Sequence, residues 1–255
     1  MPAPLDLHVV DTPSADPGAA VVVVVHGAMD RSSSFGRVAR QLDDLHVVRY
    51  DRRGYGRSVG APVGTLDDHV DDLLGVIDGR AVTVFGHSIG GVIALVAAQR
   101  DPGSIRSVLA YEAPSPWADW WPRPRTVPPD DSADEAEAFM RRAIGGHYWD
   151  RLPARTRSDR RSEGAALRAD IASLQGTSPF EASAIEAPVL AACGSDTTWW
   201  HQRATRELAD AVPGGEHAVV AGAEHAAHLT HPAATAHLVR RAAARAAGGT
   251  PDHRR

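Results

Sequence analysis

The stretch Gly86-His87-Ser88-Ile89-Gly90-Gly91 places a serine between near-neighbour glycines, directly after the apolar run Ala81-Val-Thr-Val-Phe85. A second apolar run follows from 92 to 98, and Asp101-Pro102-Gly103 ends it. The pattern predicts a strand, a sharp turn and a helix, with Ser88 at the apex of the turn. Glycines two positions to either side let the strand and the helix pass close together. The turn pushes the Ser88 hydroxyl out of the sheet, so Ser88 is a candidate nucleophile.

A serine hydroxyl is a weak nucleophile at its own pKa, and it needs a base and a group that orients the base. In this topology we expect the acid and then the histidine, each directly after a later strand. Asp196 follows the buried-strand candidate 188–193, and His225 follows the short apolar run 218–221. The sequence therefore predicts Ser88, Asp196 and His225 as the catalytic set.

Apolar runs alternate with helix-like segments along the chain, which predicts an α/β fold with a doubly wound, mostly parallel sheet. Ligands of such sheets bind beyond the carboxyl ends of the strands, where the candidate residues also fall. The predicted strands are 5–10, 21–25, 45–50, 81–85, 106–111, 188–193 and 217–221, and the predicted helices are 35–42, 66–78, 89–100, 201–211 and 232–247.

Three more stretches carry a family pattern. The first is His26-Gly27-Ala28-Met29, directly after the strand candidate 21–25. The second is Asp51-Arg-Arg-Gly-Tyr-Gly-Arg-Ser58, after the strand candidate 45–50. The third is Gly222-Ala-Glu-His225. Together with the turn at Ser88, they resemble the α/β-hydrolase superfamily.

The resemblance implies a serine hydrolase with a catalytic triad and an acyl-enzyme intermediate. By resemblance, the backbone N–H groups of Ala28 and Ile89 form the oxyanion hole. Glu112 stands where some relatives keep the triad acid, so it remains an alternative to Asp196. The expected substrate is an ester, thioester or lactone of small to medium size and largely apolar character. Carbon–carbon hydrolysis, perhydrolysis or lyase chemistry by the same triad stays open, as does a non-catalytic small-molecule receptor on the same fold.

The resemblance covers the expected hydrolase core, residues 1–113 and 187–247. Residues 114–186 are too long for an ordinary connection, and helical patterns at 132–144 and 160–175 predict a helical cap over the site. Residues 248–255 are expected to be a frayed tail. Tryptophans in or just beyond the cap can form an apolar wall for substrate or simply the cap's own core. The candidate substrate-binding residues are Met29, Trp117, Trp121, Trp149 and Trp199.

The net charge, the apolar runs and the cysteine count of the chain exclude several classes of function. A net charge of −5 gives no electrostatic case for nucleic acid, and no apolar run is long enough to span a membrane. One cysteine, Cys193, excludes an internal disulfide and fits a reducing cytoplasm, although a secreted protein without disulfides stays open. The expected state is a monomer or a homodimer. No cofactor is expected, because no phosphate-binding loop is present. No metal is expected either, although His225, His228 and His231 are spaced by three.

The arginine-rich run 151–161 is expected to face water.

Overall fold

A seven-stranded sheet lies at the centre of the computed structural model, which describes residues 7–123 and 129–248. The strand order is β1-β3-β2-β4-β5-β6-β7, and every neighbouring pair is parallel except β1 with β3. The strands are β1 (Val9–Thr12), β2 (Val21–Val25), β3 (His46–Tyr50), β4 (Val82–His87), β5 (Ile105–Tyr111), β6 (Val189–Gly194) and β7 (Glu216–Val220).

Helices cover both faces of the sheet and fill the long insertion between β5 and β6. They are α1 (Gly36–Ala39), α2 (Leu66–Ile77), α3 (Ile89–Arg100), α4 (Ser132–Ile144), α5 (Gly146–Arg151), α6 (Ala154–Arg161), α7 (Gly164–Ser173), α8 (Trp199–Ala211), α9 (Ala227–Thr230) and α10 (Pro232–Gly248). Single 3-10 turns lie at Ser32–Phe35, Gly56–Ser58 and Ala182–Ala184.

The central strands are apolar on both faces because each face packs against helices. Four of the five valines of β2 are buried, as expected of a parallel strand covered on both sides. One core cluster joins the sheet to α2 and α3, and a second joins the opposite face to α1 and α10. Helix α3 is buried almost all round and shows no polar face from Ile89 to Ala98. The carboxyl ends of the parallel strands therefore form one edge between two layers of helices.

The predicted α/β fold and its mostly parallel sheet are confirmed. Strand and helix bounds in the core differ from the predicted ones by one or two residues, except at the first strand and the first helix. The predicted strand 5–10 is β1 at Val9–Thr12, with part of the prediction outside the described residues. The predicted helix 35–42 is a 3-10 turn followed by the short α1. Of the predicted tail, Gly248 ends α10 and residues 249–255 lie outside the described part.

In its described residues, the insertion 114–186 holds four α-helices, α4 to α7, and the 3-10 turn Ala182–Ala184. The predicted helix 132–144 is α4, whereas the predicted helix 160–175 is divided between α6 and α7. Trp149 is fully buried and packs with Met29 and Tyr55 of the sheet loops. The insertion thus shares a small apolar core with the loops at the carboxyl edge of the sheet.

A buried ion pair also joins the insertion to the sheet loops. The Arg52 guanidinium donates to both oxygens of Asp170 on α7 at 3.1 and 2.7 Å, and Tyr55 donates to Asp170 at 2.6 Å. Arg52 is 0% exposed and Asp170 is 2% exposed. Nearer the edge of the insertion, Arg31 pairs with Glu163 at 2.7 Å. These contacts fix the position of α7 relative to the sheet.

Candidate active site

Ser88 lies at the apex of the turn between β4 and α3, with a φ of 54° and a ψ of −128°. A positive φ is strained for a residue with a Cβ, and strain of this kind concentrates at functional sites. The Ser88 side chain is half-buried, so its hydroxyl remains reachable. The structure therefore places Ser88 as the sequence predicts.

The flanking glycines are required because backbone passes directly over them. A Cβ built on Gly86 would lie 2.3 Å from the carbonyl oxygen of Gly90, and one built on Gly90 would lie 2.2 Å from that of Val25. No side chain fits at such distances without moving backbone. The glycine spacing in the sequence thus reflects close approach of β4, α3 and β2 around the serine.

His225 follows β7 and faces Glu112, which is the first residue after β5. The Nδ1 of His225 is 2.6 Å from Oε2 of Glu112. The carboxylate is fully buried, whereas the His225 side chain is 42% exposed. Because a carboxylate only accepts, Nδ1 carries the proton and Nε2 is left as a base. This is the tautomer that a general base next to a serine needs.

Two further hydrogen bonds hold the Glu112 carboxylate, and a second histidine lies close to it. The Gly194 N–H donates to Oε1 at 3.0 Å, the Thr197 hydroxyl donates to Oε2 at 2.9 Å, and His201 Nδ1 lies 3.2 Å from Oε2. Burial raises the pKa of the Glu112 carboxyl, but the hydrogen bond and charge of His225 outweigh burial and leave the pKa below its usual value. Glu112 is therefore ionised and oriented at neutral pH. Burial also lowers the pKa of His201 to about 4.

The structure does not bring Asp196 to His225, which corrects the predicted pairing. The Asp196 side chain is exposed and accepts from the neighbouring Ser195 hydroxyl at 2.7 Å. Only its backbone joins the histidine loop, through its N–H and the Ala223 carbonyl at 2.9 Å. β5 and β6 are adjacent, so residues after either strand reach the same edge, and the side chain that turns inward there is Glu112.

Positive φ angles recur at three loops of this edge. Met29 has a φ of 56° and Glu112 a φ of 47°, close to the 54° of Ser88. Asp78, at the end of α2, is the other non-glycine residue with a positive φ in the described part of the chain. Backbone strain thus marks the oxyanion loop candidate, the serine turn and the acid that faces His225.

The Ser88 and His225 loops meet through His87. The Nε2 of His87 lies 2.9 Å from the His225 carbonyl oxygen, and the two rings are 4.7 Å apart. Within the described residues, Ser88 Oγ has no hydrogen bond to a protein group. Such a bond often tightens only when substrate is present.

His26 supports the loop after β2 through contacts of both its ring nitrogens. Its Nδ1 is 2.7 Å from the Gly27 carbonyl, and its Nε2 accepts from the Arg52 N–H at 2.9 Å. Burial lowers the pKa of His26 to about 4, so the ring is neutral. The Ala28 N–H makes no hydrogen bond within residues 7–123 and 129–248, and Ile89 is the first residue of α3, where N–H groups lack helical partners. Both N–H groups are thus available to a ligand.

The candidate substrate residues fall into different environments. Trp121 lies 5.3 Å from the His201 ring, which is 4.8 Å from His225. Trp117 packs edge-on against Phe180, and Trp199 is 54% exposed. Met29 and Trp149 are buried against each other. Among the candidate residues, Trp121 is therefore linked to His225 through one intervening ring, that of His201.

The three histidines at three-residue spacing do not converge. His225 faces Glu112, His228 Nε2 lies 3.2 Å from Asp30, and His231 Nδ1 lies 2.9 Å from the Thr230 hydroxyl.

The arginine-rich run 151–161 makes more contacts with protein groups than expected. Arg160 donates to the Met29 carbonyl at 2.8 Å, and Arg161 pairs with Glu137 at 2.6 Å.

No helix in the described residues combines the length and the apolar character needed to cross a bilayer.

Known proteins resemble the chain in sequence and in fold. It is 30% identical over 111 residues to the lipase LipV of Mycobacterium tuberculosis, which is 42% of each chain. It is 36% identical over 101 residues to human monoglyceride lipase, which is 35% of this chain and 33% of the relative. The matches thus span less than half the length of these curated relatives.

The fold matches over almost the whole chain. The enol-lactonase from Burkholderia xenovorans LB400 superposes with a TM-score of 0.71 at 21% identity, covering 92% of this chain and 95% of that one. At this identity the likeness concerns the fold alone. The model of the Alpha/beta hydrolase family matches residues 22–238. The chain belongs to the Alpha/beta hydrolase family.

Proposed function

We propose that the protein hydrolyses carboxylic esters with a small to medium, largely apolar acyl group. The observation that carries the proposal is the 2.6 Å contact of His225 with the buried Glu112 at the edge where Ser88 stands in a strained turn. A buried, oriented carboxylate on Nδ1 of a histidine fixes the tautomer that leaves Nε2 as the base for a serine nucleophile. The lipases among the relatives support ester substrates.

In the proposed mechanism, Ser88 Oγ attacks the ester carbonyl while His225 Nε2 takes the hydroxyl proton. Glu112 holds the Nδ1 proton and stabilises the imidazolium that forms. The N–H groups of Ala28 and Ile89 stabilise the tetrahedral oxyanion, and each such donor is worth roughly a hundred- to thousandfold in rate. His225 then protonates the leaving alcohol. Water attacks the acyl-enzyme with His225 again as base.

The insertion acts in this proposal as a cap on one side of the site. Arg160 on α6 donates to the Met29 carbonyl, directly after Ala28. Trp149 packs behind Met29, so the insertion supports the oxyanion loop from outside. Trp121 and the neutral His201 lie next to one another beside His225. These rings form an apolar wall that favours an apolar acyl chain.

The test compares Ser88→Ala, Glu112→Gln and Asp196→Asn with the wild-type protein on short- and medium-chain p-nitrophenyl esters. We expect kcat to fall by about 10⁶ for Ser88→Ala and about 10⁴ for Glu112→Gln. Asp196→Asn is the matched control, because it changes an exposed carboxylate after the adjacent strand, and it should lower kcat less than about tenfold. Glu112→Gln with near-normal turnover, together with an inactive Asp196→Asn, would overturn the assignment of the acid.

Labelling with a fluorophosphonate separates the other uses of the same site. Labelling that depends on Ser88, together with ester turnover, supports the proposed function. Labelling without turnover of any ester, thioester or lactone would contradict it and point to carbon–carbon hydrolysis, perhydrolysis or lyase chemistry. A folded protein that neither labels nor turns over ester would contradict the proposed function, and tight binding of a small apolar ligand by it would favour the small-molecule receptor.

A further inference from the structure

Beside the candidate active site lies a second polar cluster, formed by Asp30, His87 and His228. One ligand atom from each residue lies within 4.8 Å of the others. His87 is 5% and His228 is 3% exposed. The residues come from three segments: the loop after β2, the serine turn and the short helix α9. The geometry does not require these three residues for any step of the proposed hydrolysis.

We propose that Asp30, His87 and His228 bind a divalent transition-metal ion, with Zn²⁺ the best match. Two imidazoles and one carboxylate are ligands that Zn²⁺ accepts, and a fourth position is left for water. Metal–ligand bonds of about 2.0–2.2 Å place three such atoms within the separation seen here after small side-chain movements. Mg²⁺ and Ca²⁺ fit poorly, because they require oxygen ligands.

Unpartnered nitrogens at the cluster support a ligand there. His87 Nδ1 and both ring nitrogens of His228 are buried without a well-aligned hydrogen bond in the described structure, and His228 Nε2 has only the Asp30 Oδ2 contact at 3.2 Å. The Nε2 of His87 faces a carbonyl oxygen, which can only accept, so Nε2 carries the proton and the Nδ1 lone pair is free. Unpaired buried nitrogens are costly unless something satisfies them. A metal ion satisfies two of these three nitrogens at once.

Neighbouring groups hold the three ligands by hydrogen bonds and stacking, as groups around metal ligands do in known metal sites. A metal-binding histidine usually donates its other N–H to a carbonyl or carboxylate, and His87 donates to the His225 carbonyl at 2.9 Å. Oδ1 of Asp30 accepts from the Arg31 N–H at 2.8 Å and the Ser34 hydroxyl at 2.6 Å. The carboxylate is therefore fixed through Oδ1, while Oδ2 faces His228 at 3.2 Å. His228 is held in its plane by stacking on Phe35 at 4.3 Å.

A second group with similar ligand types, Glu112, His201 and His225, is a poorer metal site. Its carboxylate already accepts hydrogen bonds from Thr197 and His225 on the oxygen that faces the imidazoles. The Nδ1 of His225 carries the proton of one of these bonds, so it is not a free ligand. In the cluster at Asp30, the carboxylate oxygen Oδ2 contacts only His228 Nε2, at 3.2 Å, within the described residues, whereas the facing oxygen of Glu112 already accepts two hydrogen bonds.

An ion at this site would join three loops that the proposed hydrolysis uses. Asp30 follows Met29 of the oxyanion loop, His87 precedes Ser88, and His228 lies three residues after His225. The role is thus that of a structural clamp, and it goes beyond the proposed function because no reaction step passes through the ion. Binding can be measured whether or not the protein turns over esters.

The test strips the purified protein with a chelator and titrates it with Co²⁺ and Zn²⁺. We expect one Zn²⁺ per chain by isothermal titration calorimetry, and visible d–d absorption of the Co²⁺ form in the range typical of four- or five-coordinate sites. Asp30→Asn and His228→Phe should weaken binding by at least about 100-fold. The first keeps the Oδ1 hydrogen bonds and the second keeps the stacking on Phe35, and circular dichroism checks that both variants fold.

Two matched controls locate the ion. His231→Gln changes a neighbouring histidine outside the cluster, and His201→Phe removes a ligand from the competing group; both should bind Zn²⁺ as the wild type does. Loss of binding in His201→Phe with retention in His228→Phe would overturn the proposal. A folded wild-type protein that binds neither ion, or binds several weakly with no effect of Asp30→Asn, would overturn it equally.

Discussion

The buried pair of Arg52 and Asp170 gives the sharpest prediction about how the insertion is attached. Asp170→Asn removes the negative charge and leaves a guanidinium that is 0% exposed without a counter-ion. Breaking a buried pair from one side costs about 3–5 kcal/mol. The amide oxygen still accepts one hydrogen bond, so we expect the lower end, about 3 kcal/mol. For a chain of this size that lowers Tm by about 6–12 °C.

The pH dependence of this loss follows from the Asp170 pKa. Burial by itself raises the pKa of the Asp170 carboxyl, but Arg52 and His69 outweigh burial and hold it well below its usual value. The unfolded chain therefore binds the proton more readily than the folded one, and the stabilising effect is complete above the unfolded pKa of about 3.9. As the pH falls below this value, the difference between the wild type and Asp170→Asn should shrink.

Urea unfolding at pH 7 and at pH 3.5, followed by circular dichroism, measures both effects. Asp71→Asn is the matched control, because it breaks a pair with Arg100 in which Asp71 is 70% exposed, and it should cost less than about 1 kcal/mol. A loss for Asp170→Asn as small as that of the control would show that α7 does not hold Arg52 in solution. An equal loss at both pH values would show that the effect comes from packing instead of charge.

Two further predictions test the serine turn and the oxyanion loop. Gly90→Ala should destabilise the fold by about 1–3 kcal/mol and abolish fluorophosphonate labelling, because the added Cβ would lie 2.2 Å from the Val25 carbonyl oxygen. The control is Gly75→Ala, in an exposed part of α2 where an added Cβ has nothing within 4 Å. In thermal unfolding this control should be neutral or stabilise by up to about 1 kcal/mol. In steady-state assays, Arg160→Gln should lower kcat/KM by about tenfold, because it frees the Met29 carbonyl. The control is Arg157→Gln, which should leave kcat/KM unchanged, because within the described residues the Arg157 side chain bonds only the Asp150 carbonyl.

The sequence predicts most of the sheet because its strands are buried on both faces and read as short continuous apolar runs. Val21–Val25 and Val82–His87 are found within one or two residues for this reason. The insertion is harder to predict, since five of the eight residues of α6 are charged and none of the eight is buried. Helix α6 is held by ion pairs with α4 and by α7. Hydrophobic periodicity in a sequence does not reveal contacts of this kind. The single predicted helix 160–175 therefore becomes two.

The candidate acid shows why topology alone cannot complete a site. Residues that follow two adjacent parallel strands reach the same edge, so Glu112 and Asp196 satisfy the order of acid before histidine equally well. What separates them is the surroundings: Glu112 is buried among the Gly194 N–H, the Thr197 hydroxyl and His225, whereas Asp196 turns to water. Thr197 and Gly194 flank Asp196 itself, so the loop that carries the exposed carboxylate supplies the donors for the buried one. The sequence holds one signal of this arrangement, a lone acidic residue directly after the fully apolar end of β5, where an unpaired charge would be prohibitively costly.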